Sequence, residues 1–219
     1  MASAPDISAR IDYAFWDAAA DARSIERACV EALQLGVRAI SLASSRLALA
    51  RTRLDDTTVK VISWVGFPLG TMDNDAKRFE TEVASDSGAH EIELVLNMGL
   101  LKDGNHKALL REIRDAVEAA DERPVCAVLE TQWLTPDETA LACELILDSG
   151  AQSLANTSGY WPEVEPRVEE IQFLRQAVGA NFGVKVSGLI QNPASAAALL
   201  QAGADRLGLG TANLASILG

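Results

Sequence analysis

Four times along the chain an amphipathic stretch runs into a glycine, and within two or three residues an apolar run begins. The segments are residues 32–40 around Gly36, 87–95 around Gly88, 149–154 around Gly150 and 202–207 around Gly203. A glycine fits the left-handed residue that ends a helix, and the apolar run that follows fits a strand. The glycines are 52, 62 and 53 residues apart, which leaves room for two strand–helix units between each pair rather than one. Residues 59–66, 125–130 and 184–187 read as intervening strands, and residues 11–15 as the first. Eight apolar strands alternating with amphipathic helices, the last helix short, predict a closed parallel (β/α)8 TIM barrel occupying residues 1–219 as a single domain. An open doubly wound sheet is the alternative, but no Gly-x-Gly-x-x-Gly turn follows the first strand.

In such a barrel the chemistry sits where the strands end at the C-terminal face. With 48% hydrophobic residues the chain can bury one large core, and no apolar stretch approaches the roughly 20 residues that cross a bilayer. A soluble cytoplasmic protein without membrane association is expected, since the N-terminus lacks a basic-then-apolar leader pattern. The formal charge of −12 and the lack of a basic cluster argue against nucleic-acid binding. Cys29, Cys126 and Cys143 are odd in number and widely spaced, so reduced thiols are expected. His90 and His106 form no ligand-spaced pair, and no metal is predicted.

Lys185 is the only lysine after Lys107, and it interrupts the apolar run of residues 183–188. A desolvated lysine whose pKa is lowered can form a Schiff base with a carbonyl compound. A strand lysine neutralised by a carboxylate is the equally open alternative.

Residues 65–70 (Val-Gly-Phe-Pro-Leu-Gly), 91–99 (Glu-Ile-Glu-Leu-Val-Leu-Asn-Met-Gly), 128–131 (Val-Leu-Glu-Thr) and 185–188 (Lys-Val-Ser-Gly) resemble, in order and spacing, segments of the deoxyribose-phosphate aldolase family. The resemblance runs from Ile11 to Leu218. It implies a cofactor-independent lyase that cleaves a deoxy-sugar phosphate through a Schiff base on a sixth-strand lysine, in a segment like Lys-Thr-Ser-Thr-Gly-Phe. Here that segment reads Ala155-Asn156-Thr157-Ser158-Gly159-Tyr160, with Ala155 where the nucleophile belongs. A fourth-strand aspartate of the family is Glu93, and a fifth-strand lysine is Cys126. The phosphate-binding segments read Ser187-Gly188-Leu189 and Gly210-Thr211-Ala212, and Leu189 adds bulk where backbone should approach a phosphate. The resemblance also implies a monomer or a homodimer.

Aromatic residues are only 5% of the chain, yet Trp16, Trp133, Tyr160 and Trp161 stand just beyond predicted strand ends, with Trp64 and Phe67 at the third. Singly, each would pack a loop onto the rim; together they suit an apolar or planar small-molecule substrate. Glu93, Asn97 and Glu130 point toward the mouth if the family register holds, with Asn156 and Ser187 beside them, and Asp12 and Asp17 flank the first strand end. Glu93 and Glu130 are candidate general acids or bases, unless one merely neutralises Lys185. Three functional readings follow. One is acid–base chemistry on an apolar carbonyl or enol substrate, forming or cleaving a C–C bond or closing a ring. The second is an aldolase using Lys185 as its Schiff-base lysine on an unphosphorylated aldehyde. The third is a non-catalytic binding protein on an aldolase scaffold. An exposed loop is expected over residues 160–167.

Overall fold

A computed structural model describes residues 7–161 and 163–218. Eight parallel strands close in sequence order: β1 Ile11–Ala14, β2 Ala39–Leu42, β3 Lys60–Val65, β4 Glu91–Val95, β5 Val125–Val128, β6 Ser153–Ala155, β7 Gly183–Ser187 and β8 Arg206–Gly210. The helices among the described residues are α1 Ala22–Leu35, α2 Leu47–Leu54, α3 Asn74–Asp86, α4 Met98–Lys102, α5 His106–Ala119, α6 Pro136–Ser149, α7 Val168–Val178, α8 Pro193–Gln201 and α9 Thr211–Leu218. β1 pairs with β8 from Ile11↔Leu207 to Ala14↔Gly210, so the sheet is closed rather than open. The predicted barrel is the observed one.

Local chemistry sets the element ends. Gly36 and Gly150 adopt φ of 63° and 94° and terminate α1 and α6. Asp21 caps α1 by accepting from Ser24 N–H, and Thr135 with Glu138 forms a reciprocal capping box ahead of α6.

Side chains alternate along each strand, and the alternation divides the interior in two. Ile40, Leu42, Ile92, Leu94, Val184 and Val186 face outward into the main core beneath the helices. Val95, Cys126, Val128 and Ala155 form a separate small apolar cluster, with Phe67 packed on it. Outside the wall, Lys77 of α3 and Glu112 of α5 form a buried pair at 2.9 Å. Lys77 Nζ also donates to the Val95 carbonyl, and Glu112 accepts from Asn97 N–H, so the pair braces the end of β4. Cys29, Cys126 and Cys143 are buried free thiols. Among the described residues no helix is long and apolar enough to cross a membrane.

Candidate active site

The barrel interior carries charge where strand residues face one another. Lys185, at the centre of β7, is 2% exposed. A Cβ at position 208 of β8 would lie 2.7 Å from Lys185 Cε, so Gly208 leaves the lane that the lysine stem fills. Lys185 Nζ donates to Glu93 of β4 and lies 3.2 Å from Asp12 Oδ2 of β1. Asp12 in turn meets Arg38 Nε at 2.8 Å and Arg206 Nε at 3.8 Å, and both arginines bond Glu91 at 2.6 Å.

Three cations therefore face three carboxylates. Burial by itself would push the Lys185 ammonium down, but the Glu93 and Asp12 carboxylates outweigh it and hold the pKa above its ordinary value. Burial likewise opposes the Asp12 carboxylate, yet Lys185, Arg206 and Arg38 lower its pKa to about 2. Lys185 is an ammonium at neutral pH.

Ala155 of β6 pairs in register with Lys185, and Val128 of β5 pairs with Ala155. The Lys185 charge thus borders the apolar cluster of Val95, Cys126, Val128 and Ala155. Burial raises the Cys126 thiol pKa, so it is un-ionised there.

Above this layer a line of rings crosses the mouth. Trp64 and Phe67 stack with centroids 4.6 Å apart, and Trp16 stacks on Phe67 at 6.4 Å. Phe67 meets Tyr160 edge-on at 5.5 Å, Tyr160 meets Trp161 at 5.4 Å, and Trp161 meets Trp133 at 5.2 Å. Trp16 lies across the end of β8, where a Cβ at Gly210 would come within 2.9 Å of its indole. Two cavities flank it. One, of about 400 Å³, is lined by Phe15, Trp16, Trp64, Phe67, Tyr160 and Arg46 among others. The other, of about 500 Å³, lies between Trp16, Tyr160, Trp161, Gly188 and the start of α9. Neither is lined by Lys185, Glu93 or Ala155. Trp133, 45% exposed, lines a separate rim cavity toward α7.

Glu130, Asn156 and Asn97 are each hydrogen-bonded to neighbouring segments. Glu130 is buried but does not pair with Lys185. It sits at φ 54°, accepts from Thr157 Oγ1 at 2.5 Å, from Ser158 N–H at 3.0 Å and from Gln132 Nε2 at 2.8 Å, and so ties down the loop after β6. Of the two glutamates that sequence offered as partners for Lys185, Glu93 is the one that pairs. Asn156 clamps β6 to β7, accepting Ser187 N–H at 2.8 Å and donating to the Ser187 carbonyl. Asn97, two residues past the end of β4, caps α4 through Gly99 N–H. Asp17 is an exposed loop residue, whereas Asp12 lies inside β1 rather than at its end. Sequence reasoning missed Arg38, Glu91 and Arg206; the signal for Glu91 and Arg206 was charge at inward positions of apolar strands, Arg38 stands just before β2, and Arg206 pairs in register with Lys185. Among the described residues no cluster of three or more His, Cys, Asp or Glu is placed to hold a metal ion.

No protein-family model matches the chain. A deoxyribose-phosphate aldolase of a Thermoanaerobacter species is 36% identical over 206 residues, covering 93% of this chain and 92% of that protein. One from Methanothermobacter thermautotrophicus is also 36% identical over 206 residues, covering 94% and 92%. Among solved structures, an aldolase designated QR15 superposes with a TM-score of 0.91 at 26% identity, over 98% of this chain and 95% of that one. The tetrameric deoxyribose phosphate aldolase of Aeropyrum pernix shares the fold, with a TM-score of 0.87 at 24% identity over 98% and 91%.

Proposed function

The chain belongs to the deoxyribose-phosphate aldolase family, and from that premise we propose a single-domain, cofactor-independent, cytoplasmic lyase that works by acid–base chemistry on an unphosphorylated apolar or aromatic carbonyl compound. The observation that carries this reading is the Lys185–Glu93 pair beside the apolar Ala155 wall. Glu93 would accept a proton from the carbon next to a carbonyl, while the Lys185 ammonium donates a hydrogen bond to the carbonyl oxygen as it gains enolate charge. The proton leaves carbon for a carboxylate, the electron pair moves to oxygen, and the enolate is then free to form or release a C–C bond. Asp12 keeps the ammonium protonated through the cycle.

A Schiff base on Lys185 is the less favoured chemistry, because a nucleophilic amine must be neutral and two carboxylates hold this one charged. A second reading, that of a binding protein without turnover, is favoured by the burial of Lys185 and by mouth cavities that stop short of it.

Exchange in D2O separates the three. With small ketones and aryl aldehydes or ketones bearing an α-hydrogen, proton NMR should record loss of the α-proton signal with the wild type and its persistence with Lys185→Met and Glu93→Gln. A borohydride-trapped adduct on Lys185 would transfer the chemistry to the Schiff-base reading. Binding with no exchange for any compound would leave only the binding protein.

A further inference from the structure

The cavity on the β1–β3 side of the mouth contains one group that the proposed chemistry does not use. Among the described residues Arg46 is the only basic side chain lining either mouth cavity. It lies just before α2, half-buried, and its guanidinium donates through Nη2 to the Ala20 carbonyl at 2.8 Å with no carboxylate in ion-pair range among the described residues. A guanidinium presents five donors in a planar fork, so most of its capacity to bind an oxyanion is uncommitted. Trp16, Trp64, Phe67 and Tyr160 line the same cavity.

Two carboxylates also line this lobe, and both are engaged. Asp17 is exposed and accepts Ala19 N–H at 2.8 Å. Glu80 accepts Gly66 N–H at 2.8 Å and shares the field of Lys77. The lobe therefore lines one cavity of about 400 Å³ with an uncommitted cation and aromatic rings, enough room for a small aromatic molecule.

We propose that this lobe binds a planar aromatic carboxylate, its ring against Trp64 and Phe67 and its carboxylate on Arg46. The inference rests on the proposed function for the claim that such a compound is the substrate; the binding itself does not require turnover. It makes the aryl carbonyl compound an acid.

Calorimetric titration with phenylacetate, 2-phenylethanol and benzylamine tests it. The expected result is phenylacetate bound about tenfold or more tightly than 2-phenylethanol, as a hydrogen-bonded charge pair gives. Arg46→Gln should abolish that advantage and Arg46→Lys restore part of it. Equal binding of the acid and the alcohol, or an advantage that survives Arg46→Gln, overturns the proposal. So does tighter binding of benzylamine, which would make the lobe a cation site served by Asp17, Glu80 and the rings. Should Arg46→Gln not fold, the wild-type ranking of the three probes decides. Phenylacetate binding without α-proton exchange by any carbonyl compound would sink the proposed chemistry and leave this site standing. Exchange without phenylacetate binding would do the reverse.

Discussion

Lys185 and Ala155 are partners across the β6–β7 ladder, so a buried ammonium stands beside a bare methyl group. An amine installed at position 155 would meet both desolvation and the Lys185 charge, and each lowers its pKa toward the neutral, nucleophilic form. Ala155→Lys is expected to gain a borohydride-trappable adduct with a small aldehyde, read by intact mass, while the wild type gives none at that position. The extra volume in the cluster with Val95, Cys126 and Val128 should cost about 1–3 kcal/mol of stability.

Removing the ammonium should be costly for the fold. Lys185→Met leaves Glu93 without its ion-pair partner and strips Asp12 of one of three cations. Loss of one member of a buried pair destabilises by about 3–5 kcal/mol, and urea unfolding at neutral pH measures it. A change under 1 kcal/mol would mean that water reaches the chamber.

Asp12 sets an acid limit. Its folded pKa of about 2 lies below the ordinary 3.8, so the unfolded chain binds the proton first as pH falls. The stabilisation, about 2 kcal/mol by linkage, is therefore complete above pH ~4 and lost as pH drops toward 2. Asp12→Asn should flatten the stability profile in that window, measured by thermal unfolding from pH 2 to 6.

The Lys77–Glu112 pair makes a contrasting case. Burial pushes Lys77 down and Glu112 up, so both charges are held against desolvation. Lys77→Met alone should cost about 3–5 kcal/mol, because the Glu112 carboxylate is left buried. Adding Glu112→Gln, which can still accept from Asn97 N–H, should recover much of that loss.

Glu130 is expected to act on loop order. Glu130→Ala deletes three hydrogen bonds to the loops after β5 and β6 and should lower stability by about 1–3 kcal/mol. Hydrogen exchange at Ser158 N–H should accelerate, and Glu130→Gln should retain part of the protection. Unchanged exchange would show that Asn156 alone holds the segment.

The barrel was legible in the sequence because it is written in local chemistry. Glycines that can turn left-handed after helices, and apolar runs of strand length, recur along the chain, and each signal depends only on neighbours in sequence. The importance of Lys185 was equally legible, since a charge inside an apolar run needs a partner somewhere. Which partner it takes was not. Glu93 and Glu130 look alike in sequence, but one faces the barrel axis beside Lys185 while the other is turned by a left-handed backbone toward Thr157 and Ser158. The same holds for Asn97, which caps α4, and for Asp12, whose three cations come from β7, β8 and the residue just before β2. Closure of the sheet brings residues nearly 200 positions apart within bonding distance, as when Arg206 reaches Asp12. Sequence fixes the period of a strand and hence which side chains turn inward; only the closed sheet sets the height at which each one meets the others.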